Sequence, residues 1–267
     1  MLLKQSGILW DMDISLQTYL IVCPLVFLSG FVDAVAGGGG LISVPAYMIA
    51  GLPAHAAIAT NKLSASMGTT LATFKLWRAG NIPWKKAVFC IIAAYAGGSL
   101  GAKLALMVPA DMFKILMLFI IPVTGVYIMR TKSLDRKSAE DGADNDAVKY
   151  IVIACVIAFV IGIYDGFYGP GTGTFLILML SGLAHFSLGE ANGTAKAINL
   201  TTNISSLVIY LLNGKVLIPL GLAAGLFAIA GNYIGVNLFM DKGAKIVKPL
   251  MITVMVIFFI RIISELI

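Results

Sequence analysis

The sequence predicts an all-α integral membrane protein built from two homologous halves. Of its 267 residues, 59% are apolar and only 12% are charged, and the mean hydropathy is +0.95. A soluble domain with so few charges would expose a largely apolar surface to water, so lipid is the solvent that fits this composition. We therefore expect a multi-pass protein of the cell inner membrane.

The apolar segments form two sets of five. The first set lies near 17–36, 41–52, 55–77, 84–107 and 111–130, and the second near 148–168, 173–185, 188–212, 217–239 and 247–266. Between them lies the only long hydrophilic stretch, TKSLDRKSAEDGADNDA. We expect a first transmembrane repeat at 1–130, a polar cytoplasmic linker at 131–147 and a second transmembrane repeat at 148–267.

Individual residues recur between the halves. Asp33, Gly37 and Gly39 recur 132 positions later as Asp165, Gly169 and Gly171, and Lys62, Gly80, Gly97 and Gly101 recur 134 positions later as Lys196, Gly214, Gly231 and Gly235. Matches at a nearly constant offset indicate an internal duplication. Paired transmembrane repeats are typical of secondary transporters, although duplication also occurs in channels.

The first two segments of each half are interrupted by glycine. Residues 17–52 would form a helix of about 54 Å, whereas the hydrocarbon core is about 30 Å thick. A hairpin of one full and one short helix would give each half an odd number of crossings and hence inverted repeats, whereas one broken span would give parallel repeats. Loop charges do not distinguish these models, and the length favours the inverted hairpin.

The interruptions read DAVAGGGG at 33–40 and YGPGTG at 168–173. Backbone that leaves a helix inside a membrane must face protein or a watery cavity. The short segments after each interruption would direct helix N-termini into the protein, where they attract anions. We therefore expect an anion cradle, the alternative being that the glycines only permit close helix crossing. The cradle residues would be Gly37, Gly38, Gly39, Gly40, Gly169, Gly171, Thr172 and Gly173.

Two lysines lie at matching depths within the membrane. Lys62 and Lys196 each fall well inside an apolar segment, where a charge is costly and normally faces a cavity or a partner. They are candidates to bind a negatively charged substrate. The alternative is that each forms a structural ion pair with Asp33 or Asp165. These aspartates would carry a coupling proton or cap amides at the interruptions.

The segments around the lysines are unusually polar, reading TNKLSASMGTT at 60–70 and NGTAKAINLTTNISS at 192–206. Side-chain hydroxyls and amides could donate hydrogen bonds to an oxyanion. The candidates are Asn61, Ser64, Asn199, Thr202 and Asn203. Such residues also serve as ordinary contacts between transmembrane helices, so that alternative stays open for each of them.

Other classes of function find little support. The net charge of +6 comes from basic clusters between apolar segments, which is typical of cytoplasmic loops rather than of nucleic-acid binding. Cys23, Cys90 and Cys155 lack metal-ligand spacing, and with His55 and His185 far apart no enzyme motif emerges. We expect no catalytic residue, metal or cofactor. Nothing in the sequence indicates the oligomeric state.

The first half contains the motifs GFVDAVAGGGGLISVP and ATNKLSASMGT, and the second half repeats them as GIYDGFYGPGTGTFL and AKAINLTTNISS. These motifs resemble those of the sulfite exporter family typified by TauE and SafE. The resemblance covers about 17–265 without the linker. It implies a permease for small sulfur-containing or carboxylate-like anions, such as sulfite, sulfoacetate or other organosulfonates. The residues on the family pattern are Gly37, Gly38, Gly39, Gly40, Asn61, Lys62, 169–173 and Lys196. Half two departs from half one with Ala195 in place of Asn61 and Pro170 in place of Gly38.

These observations predict a secondary transporter whose partners are a small anionic substrate and the lipid bilayer. Coupling to protons and uncoupled transport both fit the residues. The alternatives are a transporter or channel for another small ion, and a membrane scaffold without a transport role.

Overall fold

The computed structural model describes residues 14–109 and 147–242, together with Met112, Pro249 and Thr253. The predicted segments 111–130 and 247–266 lie outside these ranges apart from the three isolated positions, and so does the predicted linker up to residue 146. The described ranges contain eight α-helices and no strand. In chain order they are α1 (Leu16–Ala36), α2 (Gly40–Ile49), α3 (Ala54–Arg78), α4 (Trp84–Met107), α5 (Ala147–Phe167), α6 (Thr172–Gly182), α7 (Leu188–Leu212) and α8 (Ile218–Lys242).

Helices α1 and α2 form a hairpin. Gly39, just before α2, lies beside Asp33 and accepts a hydrogen bond from Ser29 Oγ at 2.8 Å. Near the other end of α2, Tyr47 packs in the same buried cluster as Val22 and Cys23 of α1. Since residue 39 lies beside 29–33 and residue 47 beside 22–23, α2 runs back along α1. The hairpin that the segment length favours is therefore present.

The second half repeats this hairpin with α5 and α6. The ring of His185, just after α6, lies 4.7 Å from the ring of Tyr150 at the start of α5. Helix α6 therefore runs back along α5. Both short helices are apolar and, at 10 and 11 residues, would rise only about 15 Å, about half of the hydrocarbon thickness.

The two halves pack closely against each other at glycines of their fourth helices. A Cβ on Gly97 of α4 would lie 2.4 Å from the carbonyl oxygen of Phe159 in α5. A Cβ on Gly231 of α8 would lie 2.1 Å from the carbonyl oxygen of Phe27 in α1. Both pairs of helices pack with almost no side chain between their backbones, which is the close contact that small residues permit between membrane helices. Each half therefore packs its last described helix against the first helix of the other half.

The third helices of the two halves run in opposite directions. Asn81, just after the end of α3, lies against Gly189 and Gly193 in the first turns of α7. At the other end, Thr60 near the start of α3 accepts a hydrogen bond from the amide of Leu217, which follows the end of α7. Equivalent helices that run in opposite directions are consistent with inverted repeats.

Helices α3 and α7 lie inside the bundle. Four other helices, α1, α4, α5 and α8, are long and apolar enough to span a membrane. These four expose large apolar side chains such as Leu20, Ile92, Val152 and Leu226, which suits contact with lipid. Helices α3 and α7 instead carry buried polar residues along much of their length. The polar segments predicted to form the site are thus enclosed by apolar ones.

Candidate functional site

The tips of the two hairpins meet inside the bundle. Thr174, at the start of α6, donates from its amide to the carbonyl of Gly37 at 3.1 Å and from its hydroxyl to the carbonyl of Ala36 at 2.9 Å. Gly37 has a φ of +75°, and a Cβ there would lie 2.2 Å from the carbonyl carbon of Gly173. Only glycine fits both this backbone conformation and this contact. The N-terminus of α6 therefore caps the C-terminus of α1.

Several backbone amides at the tips lack a partner. The amides of Gly39 and Gly40 at the start of α2, and of Gly173 at the start of α6, donate to no other residue in the described parts of the chain. These are first-turn amides, which have no partner within their own helix. Each also lies at the positive end of a helix dipole. Two helix N-termini thus offer free donors at one place.

The lysines and aspartates pair across the halves. Lys62 Nζ lies 2.7 Å from Asp165 Oδ2 and donates to Asn203 Oδ1 at 3.1 Å. Lys196 Nζ lies 2.7 Å from Asp33 Oδ2 and also donates to the backbone carbonyl of Asp33. The ion pairs that the sequence left as an alternative are therefore present. Each joins a lysine of one half to the hairpin of the other.

The two pairs differ in their exposure. The side chains of Lys62 and Asp165 are 2% and 3% exposed, whereas Asp33 is 13% exposed beside a Lys196 that is 1% exposed. Two ammonium groups and two carboxylates sum to zero charge. The site is therefore electrically balanced in the absence of substrate.

A cavity of about 40 Å³ lies between the hairpin tips. Most residues that the sequence predicts for the site line this cavity. They are Asp33, Gly37, Gly39, Gly40, Asn61, Lys62, Ser64, Asp165, Gly169, Thr172, Gly173, Asn199 and Asn203. The structure thus brings together residues from both hairpins and both polar helices.

Four predicted site residues are described by the structure but do not line this cavity: Gly38, Gly171, Lys196 and Thr202. Lys196 is turned toward Asp33. Thr202 donates its hydroxyl to the carbonyl of Asn199, one turn earlier in α7. Gly38 accepts a hydrogen bond from the amide of Leu41, and Gly171 is the N-cap of α6. These residues shape the surroundings of the cavity.

Other lining residues were not predicted from the sequence. They are Val26, Ser29, Gly30, Ser43, Ala65, Thr69, Ala228 and Asn232. Most lie on α1, α3 and α8. One signal was available for Asn232, because the residue 134 positions earlier in the first half is Gly98. An amide where the repeat has glycine marks a local departure from symmetry.

The polar lining is drawn unequally from the two halves. At the same offset, four cavity asparagines correspond to smaller residues: Asn61 to Ala195, Asn199 to Ala65, Asn203 to Thr69 and Asn232 to Gly98. The amides of Asn61 and Asn199 have no hydrogen-bond partner among the described residues and face the cavity. The polar lining of this cavity is therefore asymmetric, with asparagines where the other half has smaller residues.

A polar cavity between two helical hairpins, within an all-helical bundle that exposes large apolar side chains, defines a multi-pass membrane transporter. A family model described as sulfite exporter TauE/SafE matches residues 22–262. The chain belongs to this family.

Three relatives are named as probable membrane transporter proteins. ORF9 of a Sinorhizobium species is 34% identical over 96% of this chain and 95% of its own. A Haemophilus influenzae protein is 32% identical over 90% of this chain and 92% of its own. YfcA of Escherichia coli K12 is 32% identical over 86% of this chain and 84% of its own. No solved structure shows significant similarity to the chain.

Proposed function

We propose that the protein carries small sulfur-containing oxyanions, such as sulfite or sulfoacetate, across the cell membrane by secondary transport. The observation that carries this proposal is the convergence of anion-binding groups on one cavity. The free amides of Gly39, Gly40 and Gly173 lie at two helix N-termini, and the Lys62 ammonium lies on the same cavity wall. Helix N-termini and a buried ammonium favour a negatively charged ligand.

The size of the cavity supports a small substrate. A water needs about 10–15 Å³ of such volume, so a cavity of about 40 Å³ has room for roughly three waters. Sulfite is the smallest of the sulfur oxyanions considered. A bulky sulfonate such as toluenesulfonate would require the hairpin tips to separate.

The ion pairs supply a reason for coupling to protons. An anion that binds Lys62 competes with the Asp165 carboxylate at 2.7 Å. Adding an anion to the balanced site also leaves a net negative charge in surroundings of low dielectric, which is costly. Protonation of Asp165 would remove both obstacles, because the neutral acid releases the ammonium. Anion and proton would then enter the site together.

A carrier of small cations is the second candidate. Asp33 and Asp165 both line the cavity, and carboxylates are common cation ligands. Each carboxylate is already neutralised by a lysine at 2.7 Å. The free amide groups on the same walls favour an anion.

The test is anion flux into proteoliposomes that contain the purified protein, under an imposed pH gradient. Sulfite, sulfoacetate, toluenesulfonate, sulfate and acetate are compared for the wild type, Lys62→Ala and the matched control Lys149→Ala. Lys149 is an exposed lysine at the start of α5. We expect selective flux of a sulfur oxyanion that the gradient drives, that Lys62→Ala abolishes and that Lys149→Ala retains. Absence of flux for every anion with folded wild-type protein would contradict the proposal.

A further inference from the structure

Asn232 has a buried side-chain amide, and the neighbouring helices carry glycines where this side chain lies. It lies on α8, is 2% exposed and lines the cavity. A Cβ on Gly30 of α1 or on Gly68 of α3 would lie 2.8 or 2.5 Å from its Nδ2 atom. Two neighbouring helices therefore carry glycine where Asn232 projects between them.

The hydrogen bonding of Asn232 is incomplete in one specific respect. Its Nδ2 donates to the carbonyl of Ala228 at 2.9 Å, which fixes which end of the amide is the nitrogen. Its Oδ1 is buried and receives no hydrogen bond from any residue in the described parts of the chain. An unsatisfied buried acceptor is costly, so such an atom calls for a donor that arrives with water or with a ligand.

We infer that Asn232 Oδ1 accepts a hydrogen bond from the acidic O–H of the substrate, so that the protein selects oxyanions that retain one proton. This inference rests on the proposed function and deepens it. The favoured species is a hydrogen oxyanion such as hydrogensulfite in its O–H form. An anion of the same shape and charge without the O–H leaves the acceptor unsatisfied.

The rest of the cavity supports a ligand that has both a negative charge and a donor. Lys62 and the free amides of Gly39, Gly40 and Gly173 match the deprotonated oxygens. Asn232 supplies an acceptor, which would repel a further deprotonated oxygen. A singly charged ion also costs less than a dianion to enter a site of low dielectric.

A metal cation is a poorer match to the same oxygen. Cation sites gather several oxygen ligands around one point. Here the free backbone N–H groups of Gly39, Gly40 and Gly173 belong to residues that line the same cavity, which the Lys62 side chain also lines. These positive and donor groups suit an anion.

The experiment compares hydrogensulfite with methanesulfinate, in which a methyl group replaces the O–H at the same charge. Uptake of both is measured in proteoliposomes at a mildly acidic pH where sulfite is largely singly protonated. The proteins are the wild type, Asn232→Leu and Asn232→Ala, neither variant having an acceptor. Asn192→Leu is the matched control, because Asn192 is equally buried, has an open Oδ1 and donates to a backbone carbonyl, yet does not line the cavity.

We expect the wild type and Asn192→Leu to prefer hydrogensulfite over methanesulfinate by about tenfold or more in kcat/KM, since a site built around a substrate hydroxyl discriminates strongly against its absence. Both Asn232 variants should bring the ratio close to one while methanesulfinate uptake continues. If Leu does not fit between the helices, Asn232→Ala supplies the same comparison. The preference of the wild type for hydrogensulfite is itself a test of the inference.

Several results would overturn the inference. A wild-type ratio near one, or an unchanged ratio in either folded Asn232 variant, would show that Asn232 only packs or binds water. Transport by the wild type could require sodium, and Asn232→Leu could lose this requirement while its ratio of hydrogensulfite to methanesulfinate uptake stays unchanged. That result would assign Asn232 Oδ1 to a cation. In all these cases anion transport would stand. Wild-type protein that moves no oxyanion at all would overturn the proposed function and this inference together.

Discussion

Replacing one partner of the Lys62–Asp165 pair is expected to cost much more stability than replacing both. The two charges lie 2.7 Å apart, and their side chains are 2% and 3% exposed, so solvent screens them little. At an effective dielectric of about 20, this separation gives an attraction of about 6 kcal/mol. Desolvation costs several kcal/mol for each ion, so the pair contributes little in net terms. A single buried charge left without its partner is expected to cost about 3–5 kcal/mol.

The assay is thermal unfolding of the purified protein in detergent for the wild type, Lys62→Met, Asp165→Asn and the double variant. At about 2–4 °C per kcal/mol for a chain of comparable size, each single variant should lose about 6–20 °C in Tm. The double variant should melt within about 4 °C of the wild type, because no lone charge remains. The reasoning would be refuted if the Tm losses of the two single variants added up in the double variant. It would also be refuted if the single variants had the same Tm as the wild type.

Three further predictions test the hairpin tips, a helix cap and coupling. Gly37→Ala should destabilise the protein by about 1–3 kcal/mol more than the control Gly80→Ala. The two glycines have similar φ values of +75° and +80°, but a new Cβ meets another backbone only at Gly37. Equal losses of Tm in the two variants would contradict the contact between the hairpin tips. Ser187→Ala removes the capping box of α7 and should cost about 1 kcal/mol, so an unchanged Tm would show that the box contributes nothing. Asp165→Asn should make initial sulfite flux, expressed per concentration of singly protonated sulfite in the outer buffer, insensitive to the pH of that buffer, and a wild-type pH profile in this variant would assign the coupling proton elsewhere.

Much of the fold was predictable from segment length and internal repetition. Residues 17–52 are too long for one crossing, and glycines at 37–40 supply the place to turn. The recurrence of Asp33 as Asp165 located the second hairpin at once. The inverted orientation of the repeats stays a prediction with which the opposite directions of α3 and α7 are consistent.

The pairing of the lysines was not predictable, because the repeat makes both choices look alike. Lys62 could pair with an aspartate of its own half or of the other, and the chain separation of 103 residues to Asp165 gives no preference. The choice follows from the packing of α4 on α5 and α8 on α1, which places Asp165 within reach of Lys62 and Asp33 within reach of Lys196. Such contacts depend on helix orientation in three dimensions.

Symmetry was an incomplete guide to the residues that line the cavity. Lys196 was selected as the counterpart of Lys62, yet only Lys62 lines the cavity. Asn232 was overlooked for the opposite reason, because its counterpart Gly98 has no side chain to repeat. It also lies in a helix that reads as an apolar span. The internal repeat identifies residues that the two halves share, whereas several residues that line the cavity differ between the halves.

The central claim is that a small oxyanion binds between the hairpin tips beside Lys62. The most direct measurement is a crystal structure of the protein soaked with selenite, the heavier analogue of sulfite, with anomalous scattering used to locate selenium. We expect one selenium peak in the cavity, within reach of Lys62 Nζ and of the free amides of Gly39, Gly40 and Gly173. An empty cavity at selenite concentrations that saturate flux, or a peak elsewhere in the protein, would contradict the account.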